Sequence, residues 1–429
     1  MNGFRRANKS EARPRRRPAA AAGLVAAGAL MIGAMPLAHA AVATPAQRGK
    51  VAADTMSSPL RVVDRIHGGA FVVGGQRYDM RGFDYQPLVL TKVMGKVRQY
   101  ANETFVSPFY NHAAVASMLA GWQAQGYNSV RVFLNPNQIG NRAGAGLDAA
   151  YVANVADFIS TAAQHGVRTL VTIGALPTAG RFAPAPNRDF GNVNADYLNP
   201  AFIGAENRYL VDLIDSLKND HAPLVDVLWE LKGEQDWDNR AAPLSWKRGL
   251  VHTADGRTYN MAVPAQRVAM ENANLVSWTN SLTGTVHRLV PGSLVGVGVY
   301  PPSVRRAAWT VRPQLLFTSA TANNFVDVHV YPNLGPELTQ INSFGAGSTR
   351  KPVIMGEFGA TRRTAVPAAV KSLLTWQARS CSIGGVSISG WLLWTWNSSV
   401  DTEFWDALAG GGQIEHALAP VNRPNPCVG

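Results

Sequence analysis

Short apolar runs alternate along the chain with stretches whose apolar residues recur every three or four positions. The first segment, RVVDRIHGGAFVVGGQRYDMRGFDY, opens as a hairpin around Gly74-Gly75 and leads into a buried strand near Arg81–Tyr85. HAAVASMLAGWQAQG follows, with Val115, Met118, Leu119 and Trp122 at helical spacing. Seven further runs read as buried strands: YNSVRVFL (127–134), VRTLVTIG (167–174), LVDVLWEL (224–231), SLVGVGVY (293–300), FVDVHVYP (325–332), PVIMGEFG (352–359) and VSISGWLLWTW (386–396). Helical patterns over roughly 148–165, 202–218 and 265–289 separate several of them, while the stretches after the fifth and sixth strands read as short or irregular. Eight strands with intervening helices predict an α/β fold, a (β/α)8 TIM barrel with an N-terminal β-hairpin, in one domain over 61–429. The competing doubly wound sheet carries a glycine-rich phosphate loop after its first strand, and RGFDYQPL has none.

Charge changes the picture at the start of the chain. Residues 1–40 hold Arg5, Arg6, Lys9, Arg13, Arg15, Arg16 and Arg17 against the single acid Glu11, then an alanine-rich apolar stretch and Ala38-His39-Ala40. These are the parts of a secretory signal peptide cleaved after about Ala40, with 41–60 as a linker. Without those seven bases and one acid, the net charge falls from +12 to +6. The remaining chain is mildly basic, has no run resembling a nucleic-acid footprint, and has no segment apolar enough to span a membrane. A secreted or periplasmic protein is expected. In that setting Cys381 and Cys427 either form one disulfide that ties down the Pro-rich tail or remain two buried thiols.

Candidate chemistry concentrates at the strand ends, where barrels keep their active sites. The second strand offers Arg131, the fourth Glu230 and Glu234, the sixth His329 and Tyr331, the seventh Glu357, and the eighth Trp394 and Trp396; Trp237 follows Glu234 closely. Two carboxyl groups about 5 Å apart suit a retaining glycoside hydrolysis, and aromatic rings suit the apolar faces of sugars. Metal chemistry has little support. The nine histidines are scattered without an H-E-x-x-H, two cysteines make no zinc cluster, and no cofactor is called for.

WELKGE, HVYP and GEFG, in this order and spacing, resemble the family 5 glycoside hydrolases, the cellulase-like members of a large clan of retaining barrels. RGFDY, NSVRVF and the Trp-rich eighth strand extend the resemblance over most of the chain. It implies Glu234 as acid/base, Glu357 as nucleophile, Arg131 beneath the nucleophile, His329 and Tyr331 lining the site, and Trp394 or Trp396 as a sugar platform. The implied substrate is an oligo- or polysaccharide, a β-glucan or, in a mannanase-type relative, a β-mannan. Strand alternation puts Glu230, Lys232 and Glu234 on one side, so spacing alone cannot choose between the glutamates; the motif selects Glu234 and leaves Glu230 to pair with a cation deeper in the barrel. Two departures stand out: Gly233 replaces the family's asparagine, and VTIGALP lacks its third-strand histidine. They keep open a barrel that binds glycan without cleaving it. Specificity is expected to lie in the insertion at 238–264 and the loop at 333–351.

Overall fold

The computed structural model describes residues 58–87, 89–93, 96–100, 103–182, 184, 187–299, 309–310, 313–331, 346–379, 385–397 and 403–423. The expected signal peptide, all but the last three linker residues, and both cysteines with their disulfide lie outside the described residues.

Eight parallel strands close into a barrel. They are β1 (Met80–Tyr85), β2 (Ser129–Phe133), β3 (Arg168–Thr172), β4 (Val227–Glu230), β5 (Leu294–Val299), β6 (Phe325–Val330), β7 (Val353–Phe358) and β8 (Ile388–Leu393). Each falls within or beside its predicted run, and β8 pairs with β1 from Gly390↔Met80 to Leu393↔Phe83 to close the ring. Most of these runs are apolar at both parities because each strand is covered inside by other strands' side chains and outside by helices.

Among the described residues the helical layer comprises α1 (His112–Gln125), α2 (Ala149–Gln164), α3 (Asn194–Leu198), α4 (Pro200–Asn219), α5 (Pro264–Leu289), α6 (Val366–Arg379) and α7 (Ala409–Leu418). In α1 the side chain of Asn111 caps the first turn, accepting from the Ala114 N–H, and Gly126 ends the helix at φ 82°. Val115, Leu119 and Trp122 of α1 are the buried face, as the spacing predicts. Among the described residues, the segments after β5 and β6 hold no α-helix, only the short strand Trp309–Thr310 and the 3-10 turns Pro313–Phe317 and Ala346–Ser348.

The N-terminal end of the barrel is filled by apolar side chains. Met80, Leu170, Leu228, Leu294, Phe325, Ile354 and Leu392 form one cluster with Leu60, Phe71 and Val73 of the opening sheet. Burying each large side chain stabilises the fold by roughly 1.5–3 kcal/mol. The opening sheet has three antiparallel strands, Arg61–Val63, Ala70–Val73 and Gln76–Tyr78, one more than the hairpin expected. Its tight turn places Gly74 and Gly75 at φ 56° and 81°, where a side chain is disfavoured. Phe71 meets Phe325 edge to face at 5.6 Å. Phe325 has its room because β5 carries Gly296: a Cβ there would lie 2.2 Å from the ring.

Two hairpins were not legible in the pattern. Val89–Val93 pairs with Lys96–Tyr100 between β1 and α1, and Leu250–His252 pairs with Thr258–Asn260 within the 238–264 insertion. β4 is also shorter than its run. Residues 224–226 form a 3-10 turn behind Pro223, and the ladder stops at Glu230. Strand alternation therefore no longer governs Lys232 and Glu234.

Candidate active site

The C-terminal end of the barrel is built around one guanidinium. Arg131 lies on the inward face of β2, fully buried. Its Nε donates to Thr172 Oγ1 and to Glu230 Oε2, both at 2.9 Å. Its Nη1 donates to Glu357 Oε1 at 2.7 Å and to Asp84 Oδ1 at 3.3 Å. The Thr172 hydroxyl donates to Glu230 Oε2 at 2.6 Å. Glu230 is thus the buried partner of a cation within the barrel, as its place at the end of the regular strand suggests. A buried charge of this kind needs several partners at once, and removing one leaves the rest uncompensated.

Glu357 reaches this centre through a slip in the ladder. Ile354 points into the barrel, so strict alternation would turn Glu357 outward. Between Asp327↔Ile354 and His329↔Glu357 the register shifts by one residue and re-aims the carboxyl inward. Gly356 makes the slip possible: a Cβ there would lie 1.8 Å from Asp327 Oδ2, and its N–H instead donates to Asp327 Oδ1 at 2.6 Å. The Tyr331 hydroxyl donates to Glu357 Oε2.

Glu234 arrives from the other side. His329 Nδ1 lies 2.9 Å from Glu234 Oε1 and 3.3 Å from Glu357 Oε2, and one oxygen of each glutamate lies within 4.8 Å of the other. The Glu234 side chain is 36% exposed, against 9% for Glu357, so Glu234 is the one open to solvent.

Five carboxyl groups (Asp84, Glu230, Glu234, Asp327 and Glu357) face one guanidinium and one imidazole. Burial pushes Glu230 up to about 8, only partly opposed by Arg131. Asp84 is pushed well above the carboxylate range, first by burial and then by Glu357 and Asp327 against the pull of Arg131. Glu234 is raised by burial, with Glu357 adding to it and His329 opposing. Asp327 goes the other way, because His329 and Arg131 outweigh its burial. Burial alone would discharge His329, yet Glu357, Asp327 and Glu234 hold its pKa well above the usual value, so it is a cation. Burial and Glu357 keep the Tyr331 phenol protonated, hence a donor.

The aromatic residues divide. Trp394, whose peptide bond to Thr395 is cis, is half-buried and meets Phe133 edge to face at 5.8 Å. Trp396 packs instead between Phe83 and Trp122, at 4.9 and 5.0 Å, in the layer between barrel and helices. Trp237 is completely buried against Tyr197 at 4.6 Å. Of the three tryptophans singled out in the sequence, Trp394 is the one held beside the carboxyl pair's strand ends, and Trp237 lies beneath its loop rather than flanking a cleft. Phe404 packs against Tyr331, the rings tilted with centroids 4.5 Å apart, and was not anticipated.

Both departures from the family pattern have local causes. A Cβ at Gly233 would lie 2.7 Å from Arg131 Nη2 and 3.6 Å from Thr172 Cγ2, so the pinned guanidinium occupies the room of a side chain. VTIGALP turns at Gly174 with φ 75°, a conformation unfavourable to histidine or any other L side chain. Asp84 and Asp327 went unrecognised in the sequence, although signals exist. Asp84 is the ladder partner of Arg131, and Asp327 shares parity with His329 and Tyr331 in FVDVHVYP.

Among the described residues, two groups of three bring potential ligand atoms close enough for one metal ion: Glu230, Asp327 and His329, and Glu234, His329 and Glu357. In the first, Arg131 already supplies the opposing positive charge; the second is the carboxyl pair itself. Among the described residues no helix is long and apolar enough to cross a membrane.

No protein-family profile matches the chain, and no curated protein matches it in sequence. In structure it is similar to a β-1,4-D-mannanase from Cryptopygus antarcticus (TM-score 0.52, 16% identity, 85% of this chain and 94% of that one). It is also similar to the exo-β-1,4-mannosidase Op5Man5 from Opitutaceae bacterium strain TAV5 (0.51, 16%, covering 80% of this chain and 56% of that one). A third is a GH5_18 protein from Bifidobacterium longum subsp. infantis (0.50, 16%, 80% and 74%). The chain therefore spans little more than half the length of the mannosidase. At this identity the likeness establishes the barrel.

Proposed function

We propose that the chain is an exported, retaining glycoside hydrolase that cleaves a β-linked glycan. The observation that carries the reading is the carboxyl pair: Glu234 and Glu357 with oxygens within 4.8 Å, bridged by His329. That spacing suits a direct displacement, since it leaves no room for the water an inverting mechanism places between carboxyl and sugar. Glu357, oriented by Arg131 and Tyr331, attacks the anomeric carbon. Glu234, whose raised pKa favours the protonated form, gives its proton to the departing oxygen. The glycosyl-enzyme then forms, Glu234 takes a proton from water, and that water releases the sugar.

For the substrate, the motif resemblance favours a β-glucan. The mannanase and mannosidase names of the structural neighbours favour a β-mannan, and export rests on the N-terminal sequence. Reducing-end release from β-glucans, β-mannans and xylans, measured for wild type and Glu357→Gln side by side, tests the reading. We expect release from at least one polymer, falling about a hundred-thousandfold in the variant. Absence of release from all of them, with oligosaccharide binding unchanged by the substitution, would establish the non-cleaving barrel instead.

A further inference from the structure

The segment that carries Glu234 leaves the barrel ladder without leaving β5. The Leu231 N–H donates to Gly296 O at 3.0 Å, the Gly298 N–H donates to Lys232 O at 2.7 Å, and the Gln235 N–H donates to Gly298 O at 2.8 Å. Gly233 and Glu234 therefore stand between two bonds made to a single residue. They form a bulge that swings the carboxyl over the barrel mouth. It closes tightly on β5, where a Cβ at Gly298 would lie 1.8 Å from Gly233 O.

Lys232, at the near foot of the bulge, sends its side chain away from the centre. Its Nζ lies 2.5 Å from Asp196 Oδ2 on α3 and 5.1 Å from the centroid of the Tyr197 ring. That ring is immobilised in turn, 4.6 Å from Trp237 and 5.0 Å from Trp278. Burial would lower the Lys232 pKa, yet Asp196, Tyr197 and Asp236 outweigh it and keep the ammonium charged. Glu206, which accepts from Trp278 Nε1 at 2.9 Å, is pushed well above the usual carboxylate range by burial and by Asp196, against the pull of Lys232. Besides burial, the Glu234 pKa answers mainly to His329, Glu357 and Arg131. The Lys232 side chain turns away to α3, so the direct tie between Lys232 and Glu234 is the stretch of backbone they share.

We infer that Lys232, clamped to Asp196 against the Tyr197 ring, is a positioning residue for the acid/base, fixing the foot of the 232–235 bulge so that the Glu234 carboxyl stays beside His329 and within reach of the leaving oxygen. The inference rests on the hydrolase reading. It gives a reason for a lysine between Leu231 and Gly233: a long cationic stem can cross to α3 and make a charge-assisted bond there, which an apolar side chain cannot.

The test compares two leaving groups on the sugar that the polymer panel identifies. A 2,4-dinitrophenyl glycoside departs without a proton, whereas a methylumbelliferyl or alkyl glycoside needs one. In Lys232→Met and Asp196→Asn, kcat/KM for the poor leaving group should fall roughly tenfold or more, while that for the activated one changes less than about threefold. The basic limb of the pH profile, set by Glu234, should shift in both variants, and Lys232→Arg should restore most of the loss. If Lys232→Met does not fold, Asp196→Asn and Lys232→Arg give the same reading. Equal losses on both substrates, or none on either, would overturn the clamp and leave the hydrolase reading standing. A wild type inactive on both glycosides and every polymer would overturn the hydrolase reading, and the clamp with it.

Discussion

At its N-terminal end the barrel is packed with leucine, isoleucine, methionine and phenylalanine beneath Phe71 of the opening sheet; at its C-terminal end the same strands hold five carboxyl groups, a guanidinium and an imidazolium. The floor obeys strand alternation except between β7 and β8, whose register shifts between Val353↔Ile388 and Met355↔Trp391. Leu170, Leu228 and Leu294 are successive ladder partners, all pointing inward. The mouth depends on breaking that rule: the register slips before Glu357, and the ladder bulges before Glu234. The floor is made mostly by repetition, whereas the mouth depends on two local departures, each relying on a glycine, Gly356 or Gly298, where a Cβ would collide. Stability and chemistry are thus assigned to different parts of the same strands, and substitutions should separate them.

The largest separation is expected from Glu234→Gln, which keeps the shape and removes the proton. Activity on unactivated glycans should fall roughly a thousandfold, with thermal unfolding little changed. Loss of the fold along with the activity would mean that the mouth also carries the stability. Phe325→Ala is the converse. It empties the space beneath Gly296, and denaturant unfolding should show a loss of about 3–5 kcal/mol while kcat of the folded fraction is preserved. An equal drop in kcat would show that floor and mouth are coupled.

Glu230→Gln sharpens the comparison with a smaller effect. Glu230 titrates near 4.5 when unfolded and about 8 when folded. Between these values the folded chain binds a proton that the unfolded chain has released. The stability it contributes is fully present below about pH 4.5 and is lost as pH rises through about 8. Wild-type melting temperature should therefore decline between pH 5 and 7. The amide, which cannot ionise and still accepts from Arg131, should make the decline shallower; an unchanged slope would place the titration elsewhere, at Asp84 or Glu234.

The floor and the strand count were legible because both follow from period-two and helical patterning, which one sequence displays directly. The identities of Glu234, Glu357, His329 and Tyr331 as candidates came from motif order, and the structure brings those four together. Alternation pointed the wrong way for Lys232. It set Lys232 beside Glu234, whereas the ladder ends at Glu230 and Lys232 turns to α3. The motif left Trp394 and Trp396 as alternatives, and of the two it is Trp396 that packs on Phe83. Arg131 was visible as a charge inside a strand, but its partners were not. Asp84, Thr172 and Glu230 come from three other strands, and only barrel closure decides which of them face it.

That closure has a consequence for how the molecule forms. The seam between β8 and β1 joins parts of the chain about as far apart as it allows. Arg77 bonds Ser387 across 310 residues, and the Ser389 hydroxyl reaches Gly69 O across 320. The floor cluster draws on both sides of this seam, so Phe71 has no complete pocket until the eighth strand has docked. Contacts this distant in sequence are slow to find. A partly formed barrel would expose the apolar floor and two unpaired strand edges, and the last step of folding would hide both hazards at once.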